Sequence, residues 1–515
     1  MLRYDDLPDQ LNLASYFLDA NLDRGRSNRT ALLGPIGPTT YGQLAELTNR
    51  YANVLRDKGV RPGDRVLLAL ADGVGFVAAW YAAQKVGAIT AEVYTFLPAK
   101  DYAYFLGYTD AAAVIADQLT LGRLREAGTG DRTLLITGAA GLDLRPGEHD
   151  LDALAARAPV EAEAAPTRRD DVVLWKFTTG TTGAPKACAH TARSPVLSHD
   201  WYARGVLGVD QDDIVLPVPK LFFGYARDLA ALFPFGVGAA GIAFADRSTP
   251  ERIFALIAEH RPTVLVNVPT MMAAMIAHPS AAEQDLSCLR LCTSAGEALP
   301  AELHRKWDNA FGVEVIDGIG SSEAYHIYIS NRPGQARVGS MGTLVPGYTA
   351  RVVDPDGVEL GDGETGVLEI SGATAALEYV GDPAKSAATF PGADTVHSGD
   401  LVSRADGAFQ YRGRADDLLK VSGIWVAPSE IEHCLVGHPD VLECAVLGHE
   451  TDGLIRPHAF VVRTGEVTED DLRTYVRQHL SPHKTPARVL FVDTLPRTTN
   501  GKLDRRALRG LDVAQ

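Results

Sequence analysis

Three features of this sequence predict an α/β architecture built from several domains: its length, its apolar content, and an alternation of short β-type runs with helical patterns. At 515 residues the chain exceeds the roughly 100–200 residues of one compact core, so two to four domains are expected. Apolar residues make up 46% and charged residues 22%, a composition that excludes wholly disordered, collagen-like and coiled-coil chains. Strand-like runs fall at Arg65–Leu70, Ala88–Val93, Ala111–Ile115, Thr133–Ile136, Val172–Phe177, Ile214–Val218 and Val264–Val268, several of them separated by helical stretches. Such alternation argues for parallel strands covered by helices.

Taken in order, Thr40 can cap a helix running to about Lys58, with Leu44, Leu47, Tyr51 and Leu55 on one face. A second helix is expected to end near Val86. Leu142–Arg168, rich in Ala, Glu and Pro, reads as a loop or linker, and the uncharged run Leu229–Ala245 as buried strand and turn. From Gly334 to Tyr411 short β-type runs (Ala350–Val353, Gly366–Ile370, Phe409–Tyr411) alternate with Gly, Pro and Asp turns, which predicts a small antiparallel β unit. After Asp416 a helix near Ser429, strands at Glu443–Leu447 and Ala459–Val462 and a helix at Glu469–Leu480 predict a separate small α+β domain. The expected division is therefore 1–415, with 334–415 as its β-rich part, and 416–515.

A net charge of −16 repels phosphate backbones, so a nucleic-acid surface is not expected. Cys188, Cys288, Cys292, Cys434 and Cys444 have no CxxC or zinc spacing and fit reduced thiols. The charged N-terminus does not read as a signal peptide. A cytoplasmic enzyme without a membrane segment is the expectation.

The most informative stretch is Leu174-Trp-Lys-Phe-Thr-Thr-Gly-Thr-Thr-Gly-Ala-Pro-Lys186. An apolar strand runs into Thr178, Thr179, Gly180, Thr181, Thr182 and Gly183, followed by Lys186. Glycines admit a phosphate close to the backbone, hydroxyls and amides donate to it, and the lysine supplies charge. The spacing is not that of a Walker loop. The plainer alternative is a turn whose threonines bond locally.

This loop resembles the Ser/Thr-Gly-Ser/Thr-Thr-Gly-x-Pro-Lys motif of the adenylate-forming superfamily of acyl-CoA ligases, carrier-loading adenylation domains and luciferases. Ser294-Ala-Gly-Glu297, Asp317-Gly-Ile-Gly-Ser-Ser-Glu323, Ser398-Gly-Asp400, Tyr411-Arg-Gly-Arg-Ala-Asp-Asp-Leu-Leu-Lys420 and Asn500-Gly-Lys502 follow in the family's order, so the likeness covers nearly the whole chain. Lys220-Leu-Phe-Phe-Gly-Tyr225, Leu289–Pro300, His326–Pro333 and Lys420–Val426 are most similar to the benzoate-CoA ligase group.

The resemblance implies two steps: a carboxylic acid attacks the α-phosphate of ATP to give an acyl-adenylate, and the thiol of coenzyme A then displaces AMP. It implies phosphate contacts from Thr178–Gly183 and Lys186, Mg²⁺ on Glu323 with Thr182, and a nucleotide site of Ala295, Gly296, Glu297, Asp317, Gly318, Ile319, Ser322, Asp400 and Arg414. Lys502 would bridge carboxylate and α-phosphate, Asp416 would be the hinge of a mobile C-terminal domain, and Lys420, Gly423 and Trp425 would border coenzyme A. The acyl pocket would use Tyr225, Ala226, Arg227, Ala295, Gly320, His326 and Ile327. For Glu323 a solvated loop carboxylate, for Asp400 a turn-forming Asp, for Lys502 an exposed tail lysine, for Trp425 core packing and for His326 a satisfied core histidine are the alternatives.

Two departures from the group stand out. Ala187 occupies the place of the usual glycine after the loop lysine, and Arg227-Asp228 replaces small or apolar residues. The pair is expected either on a surface turn or with Arg227 pointing inward to a polar group or carboxylate of the substrate. The leading reading is an acid:CoA ligase for an aromatic or bulky cyclic acid. The alternatives are an enzyme specialised for one half-reaction, a stand-alone adenylation enzyme loading a carrier protein, and a non-catalytic nucleotide binder. Monomer and homodimer are both compatible with the sequence.

Overall fold

The computed structural model describes the chain except residues 179–183, 422–423, 452–453, 498–502 and 513–515, and the side chains of 420, 424, 425, 451, 454, 511 and 512. Two large sheets dominate its first two thirds. One has seven strands in the order Glu148–Asp150, Thr133–Thr137, Ala113–Asp117, Arg65–Ala69, Ile89–Glu92, Val172–Thr178 and Lys186–Thr191, parallel except for the last pair. The other has nine, running Thr343–Leu344, Ile327–Ser330, Val315–Gly320, Leu291–Ser294, Val264–Asn267, Ile214–Pro217, Ala240–Ile242, Thr30–Leu33 and Thr39–Thr40. Its central strands are parallel and both ends are closed by antiparallel partners. Strands buried on both faces, such as Arg65–Ala69 and Val264–Asn267, are apolar along most of their length because helices cover both faces.

The helix Tyr41–Asp57 begins where Thr40 caps it: the Thr40 hydroxyl accepts from the Gln43 amide at 3.2 Å, while Gln43 reaches back to the Thr40 amide at 2.9 Å. The helix Val74–Lys85 is apolar all round and is buried between this helix and the sheets. A four-stranded antiparallel sheet follows (Thr349–Val353, Thr365–Ser371, Thr395–Ala405, Ala408–Arg414). In the C-terminal part, Val441–Thr451 pairs antiparallel with Leu454–Arg463, which pairs parallel with Arg488–Phe491. The helices Pro428–Val436 and Glu469–His479 bury Ile431, Leu435, Leu472 and Val476 against that sheet in a core of their own.

Two expectations are corrected. Leu229–Ala245 is mostly helical: a π-helical turn over Asp228–Leu232 passes into the helix Phe233–Val237, and the strand is confined to Ala240–Ile242. A short apolar run does not distinguish a buried helix from a buried strand, and Pro234 stands in the first turn, where its missing N–H is harmless. Leu142–Arg168 is not all loop, since Glu148–Asp150 adds an edge strand and Leu151–Ala155 a short helix capped by Asp150.

Candidate active site

A cleft of about 1560 Å³ opens beyond the C-terminal ends of strands from both large sheets and is closed on other sides by the antiparallel sheet and the C-terminal part. This is where open parallel sheets place ligands, because successive loops diverge there. Thr178, Lys186, Tyr225, Arg227, His326, Ile327, Glu323, Asp400, Arg414 and Asp416 all line it, as do 295–297 and 317–320 together with Ser322. Residues 179–183 and Lys502, the heart of two expected motifs, lie outside the described residues, as do Gly423 and the side chains of Lys420 and Trp425.

At the base of the Gly/Thr-rich loop, Thr178 closes one strand and pairs with Lys186, which opens the next. The Lys186 ammonium sits 2.8 Å from Asp382 and 5.5 Å from the centre of the Tyr379 ring. Tyr379 also donates its phenol to Glu323 Oε1 at 2.6 Å, so one ring orients both the cation and the carboxylate. Ala187 is buried in the strand opposite Phe177 and has no positive φ, so the freedom of glycine is not required there.

The middle of the cleft is built by strand register. Asp400 and Arg414 are direct partners across two antiparallel strands, and the guanidinium donates to the carboxylate at 3.0 Å. Gly320 is a steric necessity: a Cβ there would lie 2.5 Å from the His326 carbonyl oxygen, where the chain folds back on itself. Asp317 is buried with Oδ1 unpartnered, and burial pushes its carboxyl up to about 8 against weaker opposition from Ser294 and the Gly318 amide. Glu297 accepts from the Thr270 amide at 3.1 Å and hydroxyl at 2.6 Å, and its other oxygen meets Arg497 of the C-terminal part at 3.3 Å.

The part of the cleft where the sequence places the acyl group is walled by Tyr225, whose hydroxyl is bonded to Thr293 Oγ1 at 2.6 Å, by Ile327 and by His326. His326 is 3% exposed, and neither ring nitrogen makes a hydrogen bond. Burial lowers its pKa to about 3, so the imidazole is neutral. It is therefore not a satisfied core histidine. Ala226, expected in this pocket, is fully buried and does not reach the cleft; on the single turn Gly224–Arg227 it faces the core.

Beside this wall, and bordering the same cleft through Glu92, Lys176 and Arg227, lies a cluster the sequence did not announce. Arg227 is 1% exposed, which overturns the surface-turn expectation. Its guanidinium reaches Glu92 and Asp228, each at 2.8 Å, and lies 5.3 Å from the Trp80 ring centre. Trp80 Nε1 donates to the same Glu92 oxygen at 2.5 Å. Asp228 takes Lys176 on its other oxygen at 3.0 Å. Two cations and two carboxylates thus neutralise one another out of water. Burial works against the charged form of Asp228, but Arg227 and Lys176 outweigh it and hold the carboxyl down at about 2. Lys176 completes its donors on the Tyr325 carbonyl at 2.5 Å and sits 3.8 Å above the centre of the Tyr325 ring. Tyr325 has φ 78°, a left-handed conformation that costs a bulky residue about 1–3 kcal/mol and persists only where surroundings enforce it. Gly224 makes room for this lysine, since a Cβ would lie 2.1 Å from Lys176 Cε. The one sequence signal was Lys176 itself, a charge inside an apolar strand.

The chain matches the family model described as AMP-binding enzyme over residues 18–380 and that described as AMP-binding enzyme C-terminal domain over residues 430–502. It is 40% identical to the benzoate–CoA ligase of Thauera aromatica over 520 residues, covering 98% of this chain and 96% of the relative. It is 36% identical to the 4-hydroxybenzoate–CoA/benzoate–CoA ligase of Rhodopseudomonas palustris, with coverage of 98% and 94%. Among solved structures it is similar to the anthranilate CoA ligase AuaEII in complex with anthranoyl-AMP, with a TM-score of 0.94, 34% identity and all of both chains covered.

Proposed function

Because the chain belongs to the AMP-binding enzyme family over both its main and its C-terminal regions, we propose that it is an ATP-dependent aromatic acid:CoA ligase. The acid and ATP give an acyl-adenylate and pyrophosphate, and coenzyme A then takes the acyl group and releases AMP. The observation that carries this reading is the convergence in one cleft of Lys186 and Glu323, the Asp400–Arg414 pair and an acyl end walled by Tyr225, His326 and Ile327.

Each group has work suited to its chemistry. In the first step two anions must meet, so positive charge and fixed donors are the main requirement. Lys186 exchanges Asp382 for the outgoing phosphates, with the Thr178–Gly183 loop supplying donors. Asp400, with one oxygen held by Arg414, accepts the ribose hydroxyls, and Asp317 and Ala295–Glu297 border the adenine and the acyl group. Glu323 is the residue that would hold Mg²⁺: one carboxylate steadied by Tyr379 suits an ion whose remaining ligands are phosphate oxygens and water, and that ion would neutralise phosphate charge. Lys502 bridges the carboxylate and α-phosphate. The contact of Arg497, shortly before it in the chain, with Glu297 supports this placement. Rotation about Asp416 then withdraws Lys502 and brings the segment around Gly423 to the pantetheine thiol.

The reaction involves water-soluble small molecules, and among the described residues no helix is long and apolar enough to cross a membrane. The deciding experiment incubates the protein with ATP, Mg²⁺ and a panel of aromatic acids, reading pyrophosphate with acid alone and AMP with acid plus coenzyme A. Acid-dependent pyrophosphate and CoA-dependent AMP are expected. Release of neither with any acid would overturn the reading.

A further inference from the structure

The buried cluster borders the cleft through Glu92, Lys176 and Arg227, but its two cations and two carboxylates balance, so it needs no charge from the substrate. Lys176 uses its donors on Asp228 and the Tyr325 carbonyl and lies over the Tyr325 ring. Arg227 is ion-paired with Glu92 and Asp228, its Nε and Nη2 donating to Asp228 while Nη1 makes no hydrogen bond. What the cluster does is hold a backbone. Tyr325, in its left-handed conformation, immediately precedes His326, and Lys176 grips Tyr325 by both carbonyl and ring. That grip fixes the direction in which the next side chain leaves the turn.

His326 leaves it toward the cleft and ends among aromatic rings. Phe233 lies 5.0 Å from it between centroids, Tyr202 5.4 Å and Tyr225 5.7 Å. Phe233 and Tyr202 do not border the cleft, whereas His326 does, beside Tyr225, Lys176 and Arg227; of these four side chains the imidazole alone makes no hydrogen bond. The Tyr225 carbonyl lies beside the imidazole without meeting hydrogen-bond geometry. A neutral imidazole carries one donor and one acceptor, and leaving both unmet in a buried place is costly unless a ligand meets them. An unsubstituted phenyl ring cannot do so; a ring hydroxyl or amino group can.

We propose that Lys176 is a positioning residue for substrate selection: by clamping the Tyr325 turn it aims His326 at the aryl ring of the acid, where the imidazole hydrogen-bonds a hydroxyl or amino substituent, so that substituted aromatic acids are preferred to benzoate. The inference rests on the aromatic acid:CoA ligase reading and narrows it. A pocket built to bond a polar group discriminates strongly against the analogue lacking it, because its own buried group is then stranded.

The test measures acid-dependent pyrophosphate release with benzoate and with the 2-, 3- and 4-hydroxy- and aminobenzoates, for the wild type, His326→Leu, His326→Asn and Lys176→Met. The wild type is expected to favour at least one substituted acid over benzoate by roughly 100-fold or more in kcat/KM. His326→Leu should bring that ratio to within about tenfold of unity, and His326→Asn, which keeps a donor and an acceptor, should retain part of it. Lys176→Met should lower the ratio by roughly tenfold while the KM for ATP stays within about twofold, a pattern that general structural damage would not give. Where that variant folds poorly, Lys176→Met/Asp228→Asn keeps the cluster neutral and is read instead. Benzoate as the best acid, or a Lys176→Met loss equal for all acids, would overturn the inference and leave the ligase reading intact. No CoA-dependent AMP release with any aromatic acid would overturn the ligase reading and this inference with it.

Discussion

Replacing Arg227 with Leu tests the buried cluster as a unit of stability. The wild-type cluster holds Arg227 and Lys176 against Glu92 and Asp228. Removing the guanidinium leaves Asp228 with Lys176, but it leaves Glu92 with Trp80 Nε1 as its remaining close partner in the cluster. An excess negative charge is then stranded in a site where Arg227 is 1% exposed. Breaking a buried pair by deleting one partner costs roughly 3–5 kcal/mol. A unit of about 400 residues unfolds with an entropy near 0.8 kcal/mol/K, so the melting temperature should fall by about 4–6 °C. Arg227→Leu/Glu92→Gln removes one charge of each sign and keeps an acceptor for Trp80, so it should recover most of the loss. The assay is calorimetry on wild type, both single variants and the double variant, read as a double-mutant cycle. A loss below about 1 kcal/mol for Arg227→Leu would match an exposed ion pair and refute the reasoning, as would strict additivity in the cycle.

Asp400→Ala should raise the KM for ATP by a large factor, since charge-assisted hydrogen bonds worth roughly 1.5–3 kcal/mol each are lost; initial rates against ATP concentration check this, and an unchanged KM would sink the ribose assignment. Lys502→Ala should lower pyrophosphate release by orders of magnitude while a supplied acyl-adenylate is still converted with coenzyme A; equal loss of both steps would contradict a role confined to adenylation. Asp317→Asn concerns pH. With a folded pKa raised to about 8 and an unfolded value near 3.9, Asp317 makes the native state bind more protons in that window, so its stabilising contribution is full below about pH 4 and is lost as pH rises through about 8. The melting temperature of Asp317→Asn relative to wild type should therefore climb between pH 5 and pH 9, and a constant difference would show that Asp317 is ionised throughout.

Much of the architecture was legible in the sequence because period and local chemistry act over short distances. Thr40 announced a capped helix, continuous apolar runs announced buried strands, and turn residues between short β runs announced the antiparallel sheet. Order along the chain also made the family's motifs readable, so Lys186, Glu323 and Asp400 could be singled out before any fold was seen. Where local signals were ambiguous, as over Leu229–Ala245, the apolar run fitted helix and strand equally, and burial of nearly all its side chains removed the polar face that would have separated them. The state of Arg227 was beyond local reading altogether. Its sequence neighbour Asp228 suggested a pair, but Glu92, Trp80 and Lys176 come from other elements, brought together by strands of one sheet and the helix packed on it. Burying a charge is governed by the sum of its partners, and that sum exists only once the chain has folded. The same holds for His326: the sequence placed it near a pocket, whereas its unpartnered nitrogens and the strained turn that aims it are properties of the packed structure.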